Sequence, residues 1–242
     1  MQVPKLMLPL KNFSIIMLLK IDIKNLNGFY FRDEVNIMNS YQKSESEHKY
    51  TSTGIKFWRH KKQMESYLHG TGETIISTHI SPEGACNLKC HYCSVSKRKS
   101  HNRIPIEVIE DYILKLKSRG LKAVIITGGG EPTIYPHFND LVRWLHDEQN
   151  LKIGLITNGT QIHKVQQDVW NKFSWVRISL NLIENWKNLI KFPKIQGVLG
   201  CSMVYTGQTL EELQEISKFT QNTGVEYIRV LPACLFRTRK LI

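Results

Sequence analysis

The chain has 242 residues and carries a formal net charge of +12, with 41% hydrophobic and 22% charged residues. This composition excludes a wholly disordered protein, and the length is sufficient for a buried core. Five cysteines are too few for a disulfide scaffold, and three of them fall within eight positions. In a reducing cytoplasm such crowding favours a metal or redox centre. The basic charge is spread along the chain, so it permits a nucleic-acid partner without indicating one.

Residues 1–73 lack the regular alternation of strand and helix patterns that begins at residue 74, and we predict a partly flexible N-terminal extension. Its longest apolar run, Phe13 to Leu19, is too short to span a bilayer and precedes no small-residue cleavage site. We therefore expect a cytoplasmic protein without a membrane partner, whose start is either Met1 or Met38. Residues 56–68 are basic and partly aromatic, and we predict a helix that packs on the following domain.

Apolar, β-rich runs recur from residue 74 onward and alternate with segments of helical periodicity. The predicted strands are Thr74–Ile80, Ala123–Thr127, Lys152–Thr157, Trp175–Asn181, Val198–Tyr205 and Tyr227–Leu231. The predicted helices lie between Pro105 and Gly120, after Pro136, over the stripe Ile162, Val165, Val169 and Phe173, around Trp186, and from Thr209 to Gly224. Such alternation predicts an α/β fold with one parallel sheet.

Two architectures fit this alternation. Right-handed crossovers in sequential order would curl the sheet into an open partial barrel, whereas a reversal of strand order would give a doubly wound sheet. The periodicity does not separate them. In either case ligands bind at the carboxyl ends of the strands.

The first strand runs into a loop with the cysteine spacing C-x3-C-x2-C, formed by Cys86, Cys90 and Cys93. Three thiolates on one loop suit zinc or an iron–sulfur cluster. On a cubane cluster, three protein ligands leave one iron open to another ligand. The alternative is a zinc site completed by His91 or His101, which would need four ligands.

The second strand ends in Gly128, Gly129 and Gly130, followed by Glu131. Glycines at this place permit positive φ and close approach of the backbone to a ligand. Backbone carbonyls together with the Glu131 carboxylate would make an acceptor-rich pocket for an ammonium group. The spacing matches neither a Walker phosphate loop nor a dinucleotide-binding motif. A tight turn with an acidic helix cap is the simpler alternative.

Together the two loops resemble the radical S-adenosylmethionine (radical SAM) superfamily. The resemblance depends on Cys86, Cys90 and Cys93, on the aromatic Tyr92 before the third cysteine, and on the run from Gly129 to Pro132. It implies a partial (β/α)6 TIM-like barrel over residues 74–235, followed by a short basic tail over residues 236–242.

The resemblance also implies a site. The three cysteines would hold a [4Fe–4S] cluster, and S-adenosylmethionine would chelate its open iron. Reductive cleavage would yield a 5′-deoxyadenosyl radical that abstracts hydrogen from a peptide, a nucleotide-type metabolite or a protein, with a flavodoxin or ferredoxin as electron donor. The residues implied to contact the cosubstrate are Tyr92, Gly128, Gly129, Gly130, Glu131, Asn158, Ser179 and Asn181.

Two other functions stay open from the sequence. One is a zinc-binding nucleic-acid module, with the cysteine loop as a knuckle and Lys97 to Lys99 as phosphate contacts. The other is a barrel that binds a cluster without turnover. We expect Cys201 to be a buried apolar residue, and Arg177 to face either side of its strand. Since the chain ends at Ile242, soon after Cys234, we also expect a truncated relative of longer enzymes.

Overall fold

The computed structural model describes residues 60–96, 102–180 and 185–233, and six parallel strands form one sheet within them. The strands are β1 (Ser77–Ile80), β2 (Ala123–Ile126), β3 (Lys152–Thr157), β4 (Phe173–Ser179), β5 (Val198–Tyr205) and β6 (Tyr227–Pro232). All six match predicted runs, with shifts of one to three residues at some ends. The extension over residues 1–59 and the tail over residues 236–242 lie outside the described residues, so their assignment stays a prediction.

Helical segments connect the strands. They are α1 (Lys61–His69), α2 (Ile106–Lys117), α3 (Phe138–Arg143), α4 (Gln167–Trp170), α5 (Trp186–Leu189) and α6 (Leu210–Thr220). A π-helical turn continues α3 over Trp144–Glu148, and 3₁₀ turns cover Pro132–Ile134 and Ile162–Lys164. Within the described ranges, no helix combines the length and apolar character needed to cross a bilayer.

The strands lie in the sheet in the same order as in the chain, from β1 to β6, and every neighbouring pair is parallel. A doubly wound sheet requires a point where the strand order reverses, and this sheet has none. Sequential crossovers of one hand curl the sheet instead. The predicted partial (β/α)6 barrel is therefore confirmed, with β1 and β6 as its edges.

The two faces of the sheet have different environments. On β4, Val176 and Ile178 are fully buried in the core with the helices, whereas Trp175, Arg177 and Ser179 are half-buried. Because side chains alternate along a strand, the second set points to the opposite, inner face of the barrel. Arg177 thus faces inward, which settles the orientation that the sequence left open.

The predicted third helix is wrong as a continuous element. The segment forms a 3₁₀ turn at Ile162–Lys164 and a single α-helical turn at Gln167–Trp170, and Phe173 begins β4. Val165 between the two turns has extended backbone, with φ −95° and ψ 125°. Its branched side chain favours that conformation, so the apolar spacing arises from three separate elements that bury side chains in the same core.

The helix predicted ahead of the sheet exists as α1 in its described part, but its packing differs from the prediction. Gln63 and Ser66 are its buried residues, whereas Tyr67 and Leu68 are 72% and 75% exposed. Tyr67 and Leu68 therefore do not pack on the barrel, and Phe57 and Trp58 of the predicted helix lie outside the described residues.

The predicted capping box at the start of α6 is confirmed. The Glu212 backbone N–H donates to Thr209 Oγ1 at 3.3 Å, and the Thr209 backbone N–H donates to Glu212 Oε2 at 2.7 Å. These bonds satisfy two donors that a helix start otherwise leaves unpaired.

Candidate functional site

The cysteine loop follows β1 at the carboxyl edge of the sheet. Cys86 is exposed, and Cys90 and Cys93 are half-buried. Two turns shape the loop, since the Cys93 N–H donates to the Cys90 carbonyl and the Ser96 N–H to the Cys93 carbonyl, both at 3.1 Å. The Leu88 N–H points at Cys86 Sγ over 3.4 Å. The loop thus presents three thiols from one short segment.

The three thiols influence one another electrostatically. Burial raises the pKa of Cys90, and the neighbouring Cys86 and Cys93 raise it further. Burial also raises the pKa of Cys86, with smaller contributions from Glu131 and Cys93. Thiols that oppose one another's ionisation are stabilised as thiolates by a bound cation, which removes the mutual repulsion.

This donor set fits the implied iron–sulfur cluster. Three thiols that share one loop can each bind a different iron, and soft thiolates are the ligands that such clusters use. As they stand, the described side chains form no group of three or more His, Cys, Asp or Glu arranged to hold a metal ion. His91, one proposed zinc ligand, packs its ring edge against Tyr92 with 4.8 Å between ring centres, and His101 lies outside the described residues.

The glycine loop after β2 is clamped directly onto the cysteine loop. The Gly130 N–H donates to the Glu83 carbonyl at 3.0 Å, and the Glu131 N–H donates to the Ala85 carbonyl at 2.8 Å. A Cβ atom at Gly130 would lie 1.8 Å from the Ala85 carbonyl oxygen. Glycine is therefore required here because two backbones meet one residue before Cys86.

The expected positive φ in the glycine run is not observed. Gly128 and Gly130 are absent from the described glycines with positive φ, so conformational freedom is not the reason for them. A Cβ at Gly128 would lie 1.7 Å from the Gly130 carbonyl oxygen, and Gly129 N–H donates to Ser81 Oγ. Close packing within and between the two loops explains these glycines.

Glu131 is 2% exposed, and both of its carboxylate oxygens accept hydrogen bonds from the protein. Oε1 accepts from Thr133 N at 3.0 Å, Thr133 Oγ1 at 2.6 Å and Thr157 Oγ1 at 2.5 Å, and Oε2 accepts from Asn158 N at 2.7 Å. Burial raises the pKa of Glu131, and these donors act in the opposite direction. The Glu131 carboxylate therefore joins the end of β2 to the end of β3. Oε2 accepts one bond from the described residues, so direct contact between this carboxylate and an ammonium group stays a prediction.

Replacing Glu131 with Gln is expected to lower the free energy of unfolding by about 1–3 kcal/mol, because the amide leaves at least one buried donor without an acceptor. Urea unfolding measures this loss. The matched control is Glu148→Gln at an exposed position, which is expected to change stability by less than about 0.5 kcal/mol. An E131Q protein of unchanged stability but weakened S-adenosylmethionine binding would instead indicate that Glu131 contacts the cosubstrate directly.

Glu83 is a second buried carboxylate in the site, and the sequence analysis missed it. It is 1% exposed, accepts from the Ala85 N–H at 3.0 Å, and pairs with Arg103 Nε at 2.7 Å. The only sequence signal is an acidic residue between Pro82 and Gly84 next to the cysteines. Its partner lies 20 residues further on, which no local pattern indicates.

Asn158 lies beside the cysteine loop. Its Nδ2 donates to Asn87 Oδ1 at 2.9 Å and lies 3.9 Å from Cys86 Sγ, and Asn87 Nδ2 in turn donates to Thr160 Oγ1 at 2.7 Å. The end of β3 therefore holds the cysteine loop from a second side. A contact between Asn158 and cosubstrate stays a prediction.

Tyr92 and Ser179 are the remaining predicted contacts that the structure describes. Tyr92 is half-buried, and burial together with the charge and hydrogen bond of Cys90 raises the pKa of its hydroxyl. Ser179 is at the end of β4, on the inner face. Asn181 is outside the described residues. Cys201 is fully buried in the core, as expected, and Cys234 is not among the described residues.

Comparisons with known proteins agree with this site. The family model of the radical SAM superfamily matches residues 80–183, which include both loops. A UPF0026 protein of Helicobacter pylori is 29% identical over 163 residues, covering 57% of this chain and 51% of its own length. A GTP 3′,8-cyclase of Peptoclostridium acidaminophilum is 30% identical over 169 residues, covering 67% of this chain and 48% of its own length. The chain thus spans about half the length of these curated relatives.

A solved structure shows the same fold. Streptococcus suis SuiB, bound to its precursor peptide SuiA, superposes with a TM-score of 0.55 at 20% identity, covering 81% of this chain and 48% of its own. The partial barrel, the clamped cysteine and glycine loops and the family match lead to one assignment. The chain belongs to the radical SAM superfamily, whose enzymes use a [4Fe–4S] cluster and S-adenosylmethionine.

Proposed function

We propose that this chain catalyses reductive cleavage of S-adenosylmethionine and directs the resulting radical to a substrate. The observation that carries the proposal is the clamp between the glycine loop and the cysteine loop, which fixes three mutually interacting thiols at the carboxyl edge of the barrel. When bound, the cluster supplies the electron that splits the sulfonium into methionine and a 5′-deoxyadenosyl radical, which takes hydrogen from the substrate.

The protein's own residues bind and orient in this proposal. Cys86, Cys90 and Cys93 hold the cluster through their thiolates. The backbone carbonyls of the glycine run receive the amino group of S-adenosylmethionine, and the buried Glu131 carboxylate keeps that run in place through Thr133, Thr157 and Asn158.

Three further residues complete the proposed cosubstrate pocket. Tyr92 lies next to the cysteines and would flank the adenine. Ser179 at the end of β4, together with Asn181, would contact the ribose or carboxylate of the cosubstrate. The end of β4 lies at the same edge of the sheet as the cysteine loop, which is where ligands of parallel barrels bind.

The substrate is not indicated by the relatives, because their names differ in chemistry. Curated relatives include a GTP 3′,8-cyclase, an S-adenosylmethionine-dependent nucleotide dehydratase and a neomycin C epimerase, and SuiB was solved with a peptide. The proposed substrate classes therefore remain a peptide, a nucleotide-type metabolite and a protein. A flavodoxin or ferredoxin is the proposed electron donor.

The proposal is tested by adding dithionite and S-adenosylmethionine to the anaerobically reconstituted protein and measuring 5′-deoxyadenosine by chromatography. We expect 5′-deoxyadenosine and methionine in equal amounts, and neither product without dithionite. A protein that holds its cluster but forms no 5′-deoxyadenosine would instead be a scaffold without turnover.

A further inference from the structure

Two arginines lie on the inner face of the sheet, on strands separated by β5. Arg177 on β4 is in register with Gly200, which is in register with Tyr227. Arg229 on β6 is in register with Ser202. The two guanidinium groups therefore flank a strip of β5 whose inward residues are small. The Tyr227 ring lies over Gly200, while both arginine side chains keep part of their surface exposed.

Arg177 is held in place by aromatic residues. Its guanidinium carbon lies 5.1 Å from the centre of the Trp175 ring and 5.9 Å from that of Tyr227. Nε and Nη2 both lie 3.3 Å from the Tyr227 hydroxyl oxygen and donate to it. Trp175 and Tyr227 lie over Gly154 and Gly200, where a Cβ would come within 2.3 Å of each ring. The glycines thus allow an aromatic support that orients the cation.

Arg229 is in an unfavourable environment without a ligand. Its Nε is buried and donates to no acceptor in the described part of the chain. Burial lowers the pKa of Arg229, and the positive charge of Arg177 lowers it further. The ion pairs of the described residues include neither arginine. Two cations that repel each other beside an unsatisfied buried donor are costly unless an anion joins them.

We propose that Arg177 and Arg229 bind a phosphate group of the substrate on the inner face of the barrel. A phosphate carries close to two negative charges at neutral pH, which matches two guanidinium groups, whereas one carboxylate balances only one. Arg177 Nε and Nη2 are already bonded to Tyr227, so Arg177 offers its Nη1 edge and Arg229 offers its whole guanidinium group to phosphate oxygens. Ser202, level with Arg229 in the sheet, adds a hydroxyl donor.

The position separates this anion site from the cysteine loop. The cysteine loop reaches Asn158 just after β3, so the two sites are separated by their height along the strands, and Arg229 lies three residues before the end of β6. Arg177 also lies two residues before the end of its strand. The site rests on the proposed function for its reaction, but binding of phosphate can be measured without turnover.

The test is isothermal titration of the reconstituted protein with inorganic pyrophosphate at constant ionic strength. We expect Arg177→Gln and Arg229→Gln each to weaken binding at least about tenfold, as expected for charge-assisted hydrogen bonds. Lys194→Gln is the matched control. Lys194 borders a separate cavity of about 560 Å³ together with Lys187 and Lys191, so its variant tests whether these lysines bind pyrophosphate instead. This variant should bind within twofold of the original protein.

A stability measurement guards against a purely structural role for Arg229. Without an anion, Arg229→Gln should raise the midpoint of thermal unfolding by about 2–4 °C, because it removes repulsion and a buried unpaired donor. A structural arginine would lower it. Saturating S-adenosylmethionine should leave the pyrophosphate affinity of the original protein within twofold, whereas strict competition would assign the arginines to the cosubstrate carboxylate and overturn the proposal.

The remaining outcomes separate this inference from the proposed function. Unchanged pyrophosphate affinity in both arginine variants, or tighter binding of citrate than of pyrophosphate, would overturn the phosphate site and leave S-adenosylmethionine cleavage untouched. Absence of 5′-deoxyadenosine from the original protein, with arginine-dependent pyrophosphate binding intact, would overturn the proposed function alone.

Discussion

Replacing Cys90 with Ala is expected to remove the iron–sulfur cluster and to reduce 5′-deoxyadenosine formation by about 100-fold or more, since even a residue that only supports a metal ligand commonly contributes 10–100-fold. The substitution removes one of three thiolates on the loop. The barrel should still fold, because Cys90 is half-buried on the loop and is not part of the buried core. Iron content, visible absorbance and chromatography of the product measure the effect, and circular dichroism checks the fold.

Cys201→Ala is the matched control. Cys201 lies in β5, fully buried among apolar residues, and burial raises the pKa of its thiol. Its loss should cost about 1 kcal/mol of stability and leave the iron content unchanged. Cleavage that survives in the Cys90 variant, or iron that disappears in the Cys201 variant, would contradict the ligand assignment.

Replacing Gly130 with Ala should destabilise the protein by about 3 kcal/mol, near the upper end of the usual cost of overpacking. The added methyl group would lie 1.8 Å from the Ala85 carbonyl oxygen and 2.7 Å from the Gly84 carbonyl carbon, and backbone atoms cannot rotate away as a side chain can. The cysteine loop must therefore move, so we also expect reduced iron retention. Urea unfolding and iron analysis after reconstitution measure the two effects.

Gly70→Ala shows what an ordinary glycine substitution costs. Gly70 ends α1 with φ +68°, and a Cβ there would have nothing within 4 Å. Its replacement should cost about 1 kcal/mol through backbone strain alone and should not affect iron binding. If the Gly130 variant were no less stable than the Gly70 variant and bound iron fully, the clamp between the two loops would not support the site.

Much of the fold could be predicted from periodicity. Runs such as Ala123–Ile126 are apolar and rich in β-branched residues, so the six strands were found with small end errors. Strand order was not accessible in this way, because alternation is common to barrels and doubly wound sheets. The apolar spacing from Ile162 to Phe173 led to the wrong prediction of one helix, because residues of two turns and a strand bury their side chains in the same core.

In the candidate site, too, the features that are local in sequence could be predicted and those that depend on distant contacts could not. Cysteine spacing is a local property, so the sequence alone is sufficient to propose Cys86, Cys90 and Cys93 as ligands. The role of Glu131 depends on donors from β3, and that of Glu83 depends on Arg103, so both follow from contacts between distant segments. A motif identifies residue types, but it does not say whether a carboxylate faces a ligand or the protein.

The most direct test of the central claim is the metal content of the anaerobically reconstituted protein. The proposed site predicts about four irons and four sulfides per chain, the content of one cubane cluster, without stoichiometric zinc. One zinc per chain with no iron would contradict the account and would instead indicate a zinc-binding module built on the same three cysteines.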